Sequence, residues 1–145
     1  MNDITFYNDF DPNFLYDKEK IEEIILKVFS ELTYSNIKLS IIFTKRDFLS
    51  KMKETYFNVE QYTDVIAFDF SEDKENFEGE IYISIKDVKE NAKLFEQSFD
   101  NEFKRVVIHG ALHLVGYNDI EDKDKLMMKN MENKYLEEFN FTISS

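Results

Sequence analysis

Apolar positions along the chain switch between helical and strand periods. Ile21, Ile24, Ile25, Val28 and Leu32 recur at helical spacing in an otherwise charged stretch, which predicts a helix over residues 18–32. Asp17 stands where an N-cap is needed, and Glu19, Glu22 and Glu23 suit the early turns. Upstream, residues 4–7 read as a short strand, with Pro12 in the turn after it. Residues 37–43 form a β-rich run. Thr44 then caps a second helix, residues 45–55, that buries Phe48, Leu49 and Met52. Residues 65–68 and 80–85 are two more strands, joined by an acidic loop over 71–78, with Gly79 opening the second. A short helix covers 87–95. Ser98 caps the next, whose Phe99, Phe103, Val106 and Val107 face the core and lead into His109. A last helix spans 122–139. Residues 121–125 are its solvated start, and Met127, Met128 and Met131 pack in the core rather than bind a soft metal. The pattern predicts an α/β (α+β) fold, with one small mixed sheet of about four strands packed with about five helices.

A length of 145 residues fits a single domain over 1–145 with one core, and 43% hydrophobic content with 15 Phe is ample to fill it. There is no Cys, which excludes disulfides and thiolate metal sites and agrees with a reducing compartment. The start has neither a basic n-region nor an apolar signal run, and no uncharged stretch approaches a membrane span. A cytoplasmic soluble protein without a membrane partner is expected. The net charge of −12 gives no global field favouring nucleic acid, so any RNA contact needs a local basic patch, a metal or a partner's surface.

The densest chemistry lies at His109-Gly110-Ala111-Leu112-His113-Leu114-Val115-Gly116-Tyr117-Asn118-Asp119, which holds both histidines of the chain. Four residues apart on a helix, they project from one face and can reach one metal ion. Gly116 ends the helix, and the chain turns back with Asn118 and Asp119. A carboxylate there completes a His109, His113, Asp119 set at a helix end and following turn, open to water as a catalytic zinc requires. Asn118 is the competing donor, and a helical His pair alone is more often structural or solvent-exposed than metal-binding. No catalytic side chain is assigned beyond the metal-bound water. Asp64 is a candidate to orient a ligand or polarise water, or else a backbone cap. A peptidase of the H-E-x-x-H type places a general-base Glu after its first His, but Gly110 stands there, which argues against peptide hydrolysis.

The phrase over residues 109–119 resembles the metal motif of the YbeY family, bacterial rRNA maturation endoribonucleases, whose pattern is H-G-x-L-H-L-x-G-Y-D-H. The match runs through His109, Gly110, Leu112, His113, Leu114, Gly116 and Tyr117. Thr63-Asp64-Val65-Ile66-Ala67-Phe68 and Gly79-Glu80-Ile81-Tyr82-Ile83-Ser84 resemble two strand motifs of the family. Phe57-Asn58 and the residues Ile120, Glu121, Asp122, Met128 and Glu132 extend the likeness. Two departures stand out. Asp119 occupies the place of the family's third histidine, a competent but harder and anionic ligand. The family's arginine-bearing stretch is shortened here to Val59-Glu60-Gln61-Tyr62, without an arginine.

The resemblance implies a zinc-dependent single-strand endoribonuclease of ribosomal RNA maturation and quality control. It would hold one Zn(2+) per chain, or another divalent transition metal, and act on ribosomal RNA and ribosomal particles. The alternative is a ribosome-assembly factor that keeps the metal fold with little catalysis and docks on a ribosomal protein or an assembly GTPase. The acidic balance and the missing arginine suit that second reading. A groove to the metal lined by Lys104, Arg105 and the lysines of residues 45–53 would favour the nuclease.

Overall fold

The computed structural model describes residues 1–57 and 64–144; for Tyr56 and Phe57 only the backbone is described. The residues Asn58 and Thr63, and the arginine-free stretch between them, lie outside the described residues.

Four strands form one mixed sheet in the order β1-β2-β4-β3, where β1 is Asn2–Asn8, β2 Asn36–Thr44, β3 Val65–Asp69 and β4 Asn76–Ser84. The pairs β1/β2 and β2/β4 are parallel, and β3 runs antiparallel to β4. Among the described residues five helices accompany the sheet: α1 Lys18–Phe29, α2 Arg46–Phe57, α3 Ile85–Leu94, α4 Phe99–Leu114 and α5 Asp122–Glu138. This is the mixed sheet of about four strands with about five helices that the pattern predicts.

Alternation sorts each strand between two faces. Phe6, Ile41, Ile81 and Ala67 are paired in one row across the sheet and contribute to the main hydrophobic cluster, with Phe43 and Ile83 beside them. Ile42, Tyr82 and Ile66 form a row on the opposite face, where the Phe48 ring of α2 lies 6.1 Å from that of Tyr82. The main cluster joins the sheet to α1 through Ile21, Ile24, Ile25, Val28 and Phe29, and to α4 through Phe103, Val106, Val107, Ile108, Ala111 and Leu112. Among the described residues no helix is long and apolar enough to cross a membrane.

Several local expectations need correction. Helix α1 stops at Phe29, so Phe29 completes the apolar stripe and Leu32 sits exposed in the following turn. Thr44 does not cap α2. It is the buried last residue of β2, paired with Ser84, and Lys45 accepts from Leu49 N–H in the first turn instead. Phe48 is 52% exposed although its ring lies beside Tyr82, and Met52 is half-buried; Leu49 is the residue of the three that α2 buries. Strand β4 begins at Asn76, before Gly79, since pairing with β2 extends it backwards; Gly79 lies in mid-strand opposite Leu39. Asp73 takes the N–H groups of Glu75 and Asn76 and so shortens the acidic loop. Helix α3 starts two residues earlier than predicted, capped by Ser84. Met128 is buried and Met131 packs on the core, but Met127 is 52% exposed on the outer side of α5. The caps at Asp17 and Ser98 are as expected, accepting from Lys20 N–H and Asn101 N–H.

Phe103 is fully buried among the rings of Phe14, Phe43 and Phe99. Phe103→Ala should therefore destabilise the protein by about 3–5 kcal/mol. Phe48→Ala should change stability by under about 1 kcal/mol. Urea unfolding of both variants checks the contrast, and equal losses would show that the two faces of the sheet are assigned wrongly.

Candidate metal centre

Helix α4 packs against the sheet where Gly110 meets it. A Cβ at Gly110 would come within 3.1 Å of Ile81 Cγ2 and 3.3 Å of Val65 Cγ2. The absent side chain thus lets the helix lie close to β3 and β4, and it sets the height of the histidines above the sheet. Most of α4 is buried, but Arg105, His109 and His113 keep partial exposure along one stripe at helical spacing, with Glu102 one turn before Arg105. The helix ends at Leu114. Gly116 then takes φ +110°, a left-handed conformation that lets the chain reverse. That reversal returns Asp119 to the helix end. Asn118 is turned to the loop itself, where its side chain accepts from Ile120 N–H.

His109 Nε2 and His113 Nε2 face each other at 3.0 Å, and Asp119 Oδ2 lies 3.6 and 3.7 Å from them. Among the described residues these three side chains form the one group of His and acidic residues that could hold a metal ion. Tetrahedral bonds of about 2.0–2.1 Å place ligand atoms roughly 3.3 Å apart, and the observed separations bracket that figure. Two ring nitrogens and a carboxylate oxygen at these separations are a donor set that fits a divalent cation.

The His109 imidazole is held from behind. His109 Nδ1–H donates to Glu132 Oε2 at 2.6 Å, which leaves the Nε2 lone pair pointing at the cluster. Glu132, on α5, also accepts from Arg105 at 2.8 Å, and the other arm of Arg105 donates to Asn133 at 2.9 Å. Burial alone would lower the pKa of His109, but the hydrogen bond and charge of Glu132, with Asp119 and Asp64, outweigh it and raise the value. Burial and the neighbouring His109 lower that of His113. Burial would raise Glu132, yet its hydrogen bonds from His109 and Arg105 hold it below the ordinary carboxylate range.

The cluster lies between two hollows. One, of about 450 Å³, is lined by His109 and Asp119 together with Phe95, Gln97, Glu102, and Lys125 and Lys129 of α5. The other, of about 400 Å³, is lined by His109, His113 and Asp119 with Lys53 and the end of β3. Asp64 stands near without reaching a histidine. Its carboxylate accepts from Asn91 at 3.1 Å, its carbonyl accepts from Ser84 N–H, and it shares a smaller hollow with His109. Burial raises its pKa, against the Asn91 hydrogen bond and the charge of His109. Lys104 is absent from both hollows. It is buried beneath α4, where Nζ donates to the carbonyls of Phe139 and Phe141.

Two residues of this centre escaped the sequence reading. Glu132 entered it only as part of a family likeness, with no role. Glu102 did not enter it at all, although Glu102, Arg105, His109 and His113 already form a polar stripe in a helix of otherwise buried residues.

Glu132→Gln should weaken zinc binding about 10–100-fold, because the amide is a poorer acceptor for His109 Nδ1–H. Competition with a chromogenic chelator measures this; an unchanged affinity would leave Glu132 no part in the centre. Glu102 gives a second expectation. Burial, aided by the charge of Asp64, raises its pKa to about 7 in the fold. A carboxyl with a raised folded pKa stabilises below its unfolded value, and that stability is lost as pH rises towards 7. Metal-free Glu102→Gln should therefore gain on the order of 3 kcal/mol over the wild type at pH 8 and little at pH 4. Equal gains at both pH values in thermal unfolding would refute the shift.

Residues 7–140 match the family model described as Endoribonuclease YbeY. The chain is 41% identical over 122 residues to the Endoribonuclease YbeY of Karelsulcia muelleri, covering 84% of this chain and 86% of that one. It is 36% identical over 133 residues to the Endoribonuclease YbeY of Cytophaga hutchinsonii, covering 92% and 93%. A solution structure of a Thermotoga maritima protein superposes with a TM-score of 0.57 at 30% identity, over 96% of this chain and 89% of that one. A family model that spans nearly the whole chain, relatives of this identity and coverage, and a superposable fold together leave one assignment: the chain belongs to the YbeY endoribonuclease family.

Proposed function

We propose that this protein is a zinc-dependent endoribonuclease that cleaves single-stranded ribosomal RNA during ribosome maturation and quality control, with His109, His113 and Asp119 as the metal ligands. The reading rests chiefly on three convergent donor atoms lying between two open hollows. A strand can leave such a centre on both sides, as cleavage within a chain requires. A divalent ion held there supplies Lewis acidity to a phosphoryl oxygen and lowers the pKa of water.

The protein's own groups do the rest. Glu132 fixes the His109 tautomer, and Arg105 fixes Glu132. Lys125 and Lys129 line one hollow and Lys53 the other, which gives local positive charge to a chain of net charge −12. Part of the basic groove expected for a nuclease is therefore present, through Arg105 and Lys53 but not Lys104. An unpaired strand reaches a shallow centre of this kind more readily than a phosphate inside an A-form helix. Ribosomal particles, a ribosomal protein or an assembly GTPase would supply the positioning that an acidic surface does not.

His109→Ala and His113→Ala should each abolish stoichiometric zinc, since two remaining ligands hold the ion poorly. Asp119→Ala should weaken it markedly, and wild-type affinity in that variant would reassign the third ligand. Asp119→His should keep the metal and speed cleavage, because a neutral donor leaves more charge on the ion. Cleavage of single-stranded RNA should be slow on free RNA, faster on ribosomal particles, and stopped by chelator or by His113→Ala. RNA left intact on both substrates by zinc-loaded protein would sink the nuclease reading in favour of an assembly factor.

A further inference from the structure

We propose that the 450 Å³ hollow beside the His–His–Asp cluster is a nucleobase subsite in which the Glu102 carboxylate selects guanine. This rests on the RNA-cleaving reading above and names the base placed next to the reacting phosphate.

Glu102 is only 4% exposed, yet among the described residues no donor hydrogen-bonds its carboxylate. Arg105 is close enough to act on it by charge, but its guanidinium donates to Glu132 and Asn133. A core carboxylate would be paired; this one opens instead on the hollow. Its oxygens are not sealed off among the buried atoms, so the donors of a ligand entering the hollow can reach them.

The donors required are those of guanine. A carboxylate only accepts, through two oxygens. Guanine presents N1–H and the N2 amino group side by side. Adenine and cytosine present an amino group beside a ring nitrogen that also accepts, and uracil presents one N–H between two carbonyls. Only guanine can donate to both oxygens at once.

The remaining lining suits a nucleotide. Phe95, 58% exposed at the end of α3, offers a ring face for stacking. The left-handed Glu96, φ 55°, and the Gln97 N–H bond to the Ala92 carbonyl fix the turn that carries it. Lys125 and Lys129, one turn apart on α5, reach the same hollow and can meet phosphate. His109 and Asp119 line the same hollow, so a base seated there brings a neighbouring phosphate to the cluster.

Ligand-observed NMR titrations with GMP, AMP, CMP and UMP test this on the purified protein at pH 8, where Glu102 is mostly ionised. The four share one phosphate, so differences between them report the base. GMP should bind at least about fivefold tighter than the others, the low end of what a bidentate base contact discriminates. Glu102→Gln should erase that preference, and Phe95→Ala, at an exposed position, should weaken all four. Equal binding of the four by the wild type, a guanine preference surviving in Glu102→Gln, or wild-type affinities in Phe95→Ala would overturn the proposal. A parallel assay uses a uridine tract with one guanosine. RNA left uncut while GMP is still preferred would refute the nuclease reading and leave the subsite standing. RNA cut without any GMP preference would do the reverse.

Discussion

The seating of α4 on the sheet governs the rest of the molecule. Gly110 brings the helix within van der Waals reach of Val65 and Ile81, and Phe103, Val106, Val107, Ile108, Ala111 and Leu112 close around it. A helix buried on nearly every side has little rotational freedom, because interiors pack at crystal density and repack in discrete steps. The narrow stripe it leaves uncovered carries Arg105, His109 and His113, so core packing aims the histidines directly. Helix α5 then closes the back of the stripe through Glu132, and the buried Lys104 ties the chain end to the underside of α4.

Much of this was legible in the sequence because period and capping chemistry agreed. The strands, the caps at Asp17 and Ser98, and the core face of α4 followed from local pattern alone. The failures share a cause. Thr44, Phe48 and Gly79 were placed by local signals, but strand pairing extended β2 through Thr44 and β4 back to Asn76. Met127 and Met128 illustrate the same limit, since adjacent residues of similar hydrophobicity cannot be sorted by period when the helix has no clear apolar face. At the centre, the His109, His113 and Asp119 grouping could be read because all three lie within eleven residues. Glu132 lies on another helix, and its meeting with His109 is a product of tertiary packing.

Charge is distributed in a way the total conceals. The chain carries −12 overall, and its centre places carboxylates at Asp64, Glu102, Asp119 and Glu132 around two histidines. Arg105 is the cation nearest this group in the network, and it is committed to Glu132 and Asn133. A site so rich in anions repels a bare phosphate and attracts a divalent cation. A divalent ion held there would reverse the local field that an RNA substrate meets, which would couple the two binding steps.

The third donor of the cluster differs from the other two in its support. His109 and His113 are fixed to a packed helix, whereas Asp119 sits in a turn that begins at Gly116, where nothing lies within 4 Å of the missing side chain. Opening that turn requires no unfolding of α4 and frees one donor out of three. An ion held by all three groups would be released through the turn first, because moving the turn withdraws Asp119 while the packed helix keeps both histidines in place. Exchange of one metal for another would follow that route, and the metal carried would follow the supply around the protein.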